Sequence, residues 1–200
     1  MTAWREKARL VAATGAISSA AWVVAGALWL RPTCEAPQPR AVALSSPVPR
    51  PITSQPGHMA IPVSGVTADQ LVDSYSDPRE GGARVHHAID IMAPIGTPVV
   101  AALAGHVDKL FLSREGGNTI YIRTPDGRTM TYYAHLSAYA PALAEGQDVR
   151  AGQVIGAVGA SGNADPAAPH LHFEVLRTRP GAPWNDGEAV NPFPLLRGLP

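Results

Sequence analysis

Histidine placement carries the first chemical signal in this 200-residue chain, whose seven histidines are His58, His86, His87, His106, His135, His170 and His172. In the run Arg84-Val85-His86-His87-Ala88-Ile89-Asp90-Ile91 an extended backbone puts alternate residues on one face. His86, Ala88 and Asp90 then share a face, with room for an ion over the small Ala88, while His87, Ile89 and Ile91 turn to the core side. His170-Leu171-His172-Phe173-Glu174-Val175 repeats the alternation: Leu171, Phe173 and Val175 face the core, and His170, His172 and Glu174 the other side. Histidines on one face beside a neighbouring strand bearing His and Asp can supply three ligands to a small divalent ion. Zinc takes imidazole nitrogen and carboxylate oxygen, and its catalytic sites keep a fourth position for water. Thr131-Tyr132-Tyr133-Ala134-His135-Leu136 brings His135 to the end of a third strand. Glu174 reads as a structural or rim residue, and His58 and His106 as surface or hydrogen-bonded histidines. The single cysteine, Cys34, rules out an intrachain disulfide framework and a cysteine-based zinc knuckle, and it reads as an unmodified thiol. No His-Glu-x-x-His stretch is present, so proton transfer at neutral pH falls to imidazole.

Strands must hold these side chains, and the sequence offers them. Short apolar runs at 89–93, 98–102, 119–123, 129–134, 153–158 and 171–176 are separated by turn signals such as Gly116-Gly117-Asn118, Pro125-Asp126-Gly127 and Ser161-Gly162-Asn163. Nineteen glycines and 20 prolines, nearly a fifth of the chain against a usual ~12%, exclude a helical bundle. The pattern predicts an all-β domain with minor helix, an antiparallel two-sheet sandwich or barrel-like fold over 61–196, with short helices at 66–73 and 136–144. Sixteen basic and 16 acidic side chains cancel, which removes the electrostatic footprint of a nucleic-acid binder.

The remaining residues divide at the N-terminus. Residues 10–30 carry no charge, and at ~1.5 Å per residue a helix of that length covers the ~30 Å of a bilayer core. Arg5, Lys7 and Arg9 precede it, so the positive-inside bias makes 1–9 a cytoplasmic basic n-region and 10–30 a single-pass transmembrane anchor. A cleavable signal peptide ending near Ala25-Gly26-Ala27 is the alternative. Both place the domain outside the cytoplasm, at the cell membrane in the periplasm or exported. Residues 31–60 are a proline-rich linker, an extended spacer that buries no core.

Several motifs together resemble the lysostaphin/LytM-type metallo-endopeptidases of metallopeptidase family 23, over about 61–196. These are His86-x-x-x-Asp90, Ala93-Pro94-x-Gly96-Thr97-Pro98-Val99, Gly117-Asn118, Tyr133-Ala134-His135-Leu136, Gly146-Gln147-x-Val149-x-x-Gly152-Gln153-Val154-Ile155-Gly156, Ser161-Gly162, His170-Leu171-His172-Phe173-Glu174 and Val190-Asn191-Pro192. The resemblance implies a zinc-dependent endopeptidase that hydrolyses peptide cross-links of bacterial peptidoglycan. It implies one Zn2+ per chain held by His86, Asp90 and His172, a zinc-activated water as nucleophile, and His135 and His170 as non-ligand catalytic histidines. Ala88 departs from the family's usual glycine, and spacing alone gives no role to Tyr75, Arg79 or Arg84. Substrate partners would be stem peptides and cross-bridges, with a cell-wall regulatory protein as a further partner.

Two other readings use the same residues. An inactive LytM-like module that binds and activates a cell-wall amidase would lack ligands, whereas all five positions are filled here. Gly146 to Gln153 also resembles half of a lipoyl or biotinyl carrier barrel, with Asp108-Lys109 as the modified turn, but the export segment and the histidine set oppose it.

Overall fold

The computed structural model describes residues 59–198. The basic segment 1–9, the apolar segment 10–30, nearly all of the 31–60 linker and His58 lie outside the described residues. Among the described residues no helix is long and apolar enough to cross a membrane.

Eleven strands follow in chain order: β1 (Pro78–Arg79), β2 (Arg84–Val85), β3 (Ile89–Met92), β4 (Pro98–Val100), β5 (Gly105–Ser113), β6 (Gly117–Arg123), β7 (Thr129–Tyr139), β8 (Asp148–Val149), β9 (Val154–Val158), β10 (His170–Arg177) and β11 (Glu188–Val190). β1 and β2 form a small ribbon. The other nine join one antiparallel sheet of order β11-β10-β7-β6-β5-β8, with β3 on β10, and β9 linking β7 to β4. The all-β expectation with minor helix holds.

Every expected strand is present, β2 is the detached start of the 84–91 run, and β1, β5, β8 and β11 are additional. β5 escapes the sequence because its nine residues do not alternate cleanly between buried and open positions. The expected helix at 136–144 is absent: β7 runs on to Tyr139, where β9 takes its backbone hydrogen bonds. The helix at 66–73 shrinks to one 3-10 turn, Ala68–Gln70, capped by Thr67 and Gln70. One short α-helix, Pro192–Leu196, closes the domain, with Asn191 Oδ1 accepting from the Phe193 amide. Lys109 lies inside β5, paired with Glu145 at 2.8 Å, and not at a carrier-type turn.

The core is the face that alternation selects. Leu171, Phe173 and Val175 are buried with Ile89, Ile91, Ile120, Ile122 and Tyr133. Tyr133 and Phe173 stack with ring centroids 5.3 Å apart. The buried Tyr133 hydroxyl donates to Thr131 Oγ1 at 3.0 Å and accepts from the Ala102 amide at 2.8 Å, so it costs no unmet hydrogen bond.

Register on the opposite face builds the floor of a groove. In β10, His172 pairs with Asp90 of β3 on one side and with Ala134 of β7 on the other. One step along, Glu174 pairs with Tyr132, which pairs with Tyr121 of β6. Directly opposed residues in antiparallel strands share a face. Asp90, His172, Glu174, Tyr132 and Tyr121 therefore stand together. At one edge of the floor two turns interlock at Gly117 and Gly162, both with positive φ; a Cβ on either would run into the other turn's backbone.

Candidate metal centre and active-site groove

Two backbone departures aim the histidines. His87 has φ 61, and this left-handed residue separates β2 from β3. The chain at 86–87 is fastened instead to the preceding loop, with the His86 amide donating to Asp77 O and the His87 amide to Tyr75 O. His86 and Asp90 thus converge across a kink and not along one continuous strand. His87 is exposed against the edge of Tyr75, correcting the expectation that it borders the core. Ala88, between them, is fully buried.

His135 also has φ 61. It lies within β7, not at a strand end, and β6 and β7 slip register beside it: Ile120 pairs with Tyr133 but Asn118 with Leu136. β7 also changes partner there, from β10 at Ala134 to β9 at Leu136. Such a bulge bends a strand and re-aims a side chain. Left-handed backbone at a non-glycine residue costs about 1–3 kcal/mol, a cost that clusters at functional sites.

Three donor atoms meet at the centre. His86 Nε2 lies 3.1 Å from Asp90 Oδ1, His172 Nδ1 lies 3.3 Å from it, and the two ring nitrogens are 3.1 Å apart. Each imidazole is fixed from behind. His86 Nδ1 donates to the Ser74 carbonyl at 2.9 Å, and His172 Nε2 donates to Glu174 Oε1 at 2.9 Å. With those protons committed outward, His86 Nε2 and His172 Nδ1 both present lone pairs to a carboxylate oxygen that is buried and has no hydrogen-bond partner. Three lone pairs pointed at one another call for a cation. Tetrahedral zinc with ligands ~2.0–2.1 Å away keeps its donors about 3.3 Å apart, so these residues fit the metal without rearrangement.

The electrostatics agree. Burial pushes the Asp90 carboxyl up, but the His172 and His86 rings beside it, together with His170, prevail and hold it far below the usual carboxylate range. Burial lowers His172, and Asp90 and Glu174 outweigh it, so the ring gains proton affinity.

His135 and His170 stand beside this centre. Their Nδ1 atoms donate to the carbonyls of Ser161 and Ala168, each at 2.8 Å, which leaves both Nε2 atoms as acceptors. His170 Nε2 is 3.6 Å from Asp90 Oδ1, and the two rings meet edge-on with centroids 5.0 Å apart. Burial, joined by the neighbouring imidazoles, pushes His135 down to about 4, so it is neutral at physiological pH. The five residues singled out in the sequence are thus brought into one open groove of about 640 Å³.

Other participants were not evident in the sequence. Ser74 braces two of the donors: its carbonyl holds His86 and its hydroxyl accepts from the Asp90 amide at 3.1 Å. Arg79 Nη2 donates to Asp90 Oδ2 at 2.5 Å. Glu174 orients His172, a more specific task than the structural or rim duty expected. Tyr121 and Tyr132, with ring centroids 4.5 Å apart, line the groove next to His172. Only the strand register could have exposed the tyrosines, and the Ser74 contacts are invisible to any side-chain motif.

Comparison with known proteins agrees with this geometry. Residues 84–192 match the model of peptidase family M23. The L-Ala–D-Glu endopeptidase of Bacillus subtilis (strain 168) is 35% identical over 147 residues, 70% of this chain and 44% of the relative. The DD-carboxypeptidase/endopeptidase Mpg of Neisseria meningitidis serogroup B (strain ATCC BAA-335 / MC58) is 44% identical over 115 residues, 56% of this chain and 24% of the relative. The chain thus spans less than half the length of either. Among solved structures, the catalytic domain of the antimicrobial peptidase lysostaphin from Staphylococcus simulans superposes with a TM-score of 0.53 at 33% identity, covering 64% of this chain and 91% of that one. Matched over more than half its length, the chain belongs to peptidase family M23, a family of zinc-dependent peptidases.

Proposed function

We propose that the chain is a zinc-dependent endopeptidase that opens peptide cross-links in bacterial peptidoglycan. The observation that carries this is the inward convergence of His86 Nε2, Asp90 Oδ1 and His172 Nδ1 in a groove that also holds two histidines with free acceptor nitrogens. The relatives' names concern bonds of D-amino acids, the building blocks that set wall peptides apart from ordinary protein.

His86, Asp90 and His172 would hold the metal, with Ser74 and Glu174 fixing ring orientation and Arg79 the second carboxylate oxygen. Bound zinc supplies a Lewis acid that polarises the scissile carbonyl and makes water more acidic. His135 and His170 handle protons. Their Nε2 atoms can accept from water, and the protonated form can donate to the developing oxyanion or to the leaving amine. Tying Nδ1 to a carbonyl fixes the tautomer and ring angle in advance, so no reorientation is needed during reaction. The apolar segment 10–30 would tether the domain on the outer face of the cell membrane, and N-terminal sequencing of the mature protein tests that.

The central experiment incubates the purified protein with peptidoglycan and analyses released fragments by mass spectrometry. Cleavage at peptide bonds, lost on chelation and restored by zinc, is expected. Intact wall after loading with one equivalent of zinc would refute the proposal.

A further inference from the structure

Glu174, which orients His172, sits at a join in the sheet. β10 carries β7 along one flank, and two strands share the other. β3 pairs there with residues 170–173 and β11 with 175–177, so Glu174 falls between the two ladders. β3 brings Asp90 to the metal centre, while β11 leads into the helix that closes the domain. Outer strands present backbone groups that need partners from elsewhere.

The loop 71–77 supplies partners to both strands. Buried Ser74 accepts the Asp90 amide on its hydroxyl at 3.1 Å and holds His86 Nδ1 on its carbonyl at 2.9 Å. The next residue reaches the other way: the Tyr75 hydroxyl donates to the Ala189 carbonyl of β11 at 2.9 Å, across 114 positions of sequence. Its own carbonyl accepts from the His87 amide at 2.9 Å, beside the first ligand. On the other side of Ser74, both oxygens of Asp73 accept from Asn191 Nδ2 at 3.2 Å, and Oδ1 also accepts from the Tyr75 amide at 3.2 Å. Asn191 works at both ends, since its Oδ1 caps the Phe193 amide at 2.9 Å. Ser74 is thus gripped between two residues that each hold the C-terminal segment, which gives Val190-Asn191-Pro192 a physical task.

We propose that Tyr75 is a positioning residue for the metal centre: with Asp73 and Asn191 it sets the Ser74 turn that aims His86 and Asp90, and so couples zinc binding to the docking of β11. This rests on the zinc-dependent reading above and adds a support outside the donor set. The hydroxyl touches none of the three donor atoms, so its effect passes through Ser74. Without the tie to Ala189 the turn can drift relative to β10. The donors lie 3.1–3.3 Å apart, a spacing that a small drift spoils, and groups that orient a metal's ligands weigh on affinity for that reason. Coupling runs both ways: whatever the tie adds to zinc affinity, zinc adds to the hold on β11.

Zinc affinity of the purified full chain, measured by competition with a chromogenic chelator, tests it. Tyr75→Phe keeps the ring and loses the hydroxyl, and should bind zinc roughly three- to tenfold more weakly, the range of one neutral hydrogen bond. Tyr139→Phe is the matched control. Its hydroxyl also donates to a backbone carbonyl, Phe111 O at 3.2 Å, between strands that carry none of the three donors, and zinc affinity should not change. In wild type, zinc should slow hydrogen exchange of the β11 amides, and in Tyr75→Phe it should slow them less. Equal zinc affinity in Tyr75→Phe and Tyr139→Phe overturns the proposal and leaves the hydrolase reading standing, as does equal slowing in wild type and Tyr75→Phe. Should Tyr75→Phe not fold, Asn191→Asp decides by the same comparison: it keeps a capping acceptor for Phe193 but sets a carboxylate against Asp73, and should weaken zinc. A wild type that binds no zinc overturns the hydrolase reading, and the metal-free protein then decides the positioning. The NMR resonance of the His86 Nδ1 proton, held by the Ser74 carbonyl, is expected to shift in Tyr75→Phe and not in Tyr139→Phe; an unchanged resonance overturns the proposal.

Discussion

Replacing Glu174 by alanine removes the acceptor that fixes His172 without touching any donor atom of the metal centre. Glu174 Oε1 takes the Nε2 proton at 2.9 Å, which is why Nδ1 presents a lone pair toward His86 and Asp90. Without the carboxylate the ring can place its proton on either nitrogen and turn about its bond to Cβ. The hydrogen bond lost is to a charged group, worth about 1.5–3 kcal/mol. At about 1.36 kcal/mol per decade that predicts roughly 10- to 100-fold weaker zinc binding, the range usual for partners that orient a metal's ligands. Glu174→Gln, which keeps a neutral acceptor, should fall between wild type and alanine. Competition of the purified protein against a chromogenic zinc chelator measures the affinity. Glu145→Ala is the control: Glu145 pairs with Lys109 at the surface and should leave zinc affinity unchanged. Zinc affinity of Glu174→Ala within twofold of wild type, in a protein with an unchanged circular dichroism spectrum, would refute the orienting role.

His135→Ala and His170→Ala should bind zinc stoichiometrically yet lose more than a hundredfold in turnover, while His86→Ala, Asp90→Ala and His172→Ala should lose the metal; metal analysis beside fragment release separates the two sets. Gly162→Ala introduces a Cβ at φ 76 that meets the 115–117 turn, and should lower the unfolding midpoint and turnover together, by about 1–3 kcal/mol in stability. The acid limb of metal-free stability tests His135. Its folded value of about 4 lies below the ordinary 6.5, so the unfolded chain binds the extra proton and stability falls as pH drops from about 6.5 to 4. His135→Gln should flatten that limb in urea titrations. His172, raised in the folded state, acts with the opposite sign and in another window: its contribution is full below 6.5 and fades as pH rises above it.

The β elements were legible because their alternation is enforced by burial. Leu171, Phe173 and Val175 fill one face of β10, and a shift of one residue would expose all three. That constraint also fixed His170, His172 and Glu174 on the groove side. Where burial does not alternate, legibility failed. β5 has a long stretch of intermediate and exposed positions. The 136–144 region carries helix-favouring alanines, yet pairing with β9 overrides that local preference.

Within the site, the donors were readable and their supports were not. His86 and Asp90 were placed on one face by treating 84–91 as an unbroken strand, yet they meet because His87 is left-handed. The conclusion survived a wrong premise because residues four apart across such a kink can still converge. The anchors of His86, His135 and His170 are main-chain carbonyls of Ser74, Ser161 and Ala168, and a carbonyl is present at every residue, so no motif marks it. What a sequence can record is the permission for such contacts: Gly117 and Gly162 are the side-chain-free positions that let two turns close on each other behind His135. Substitution there probes the site's support from outside its chemistry.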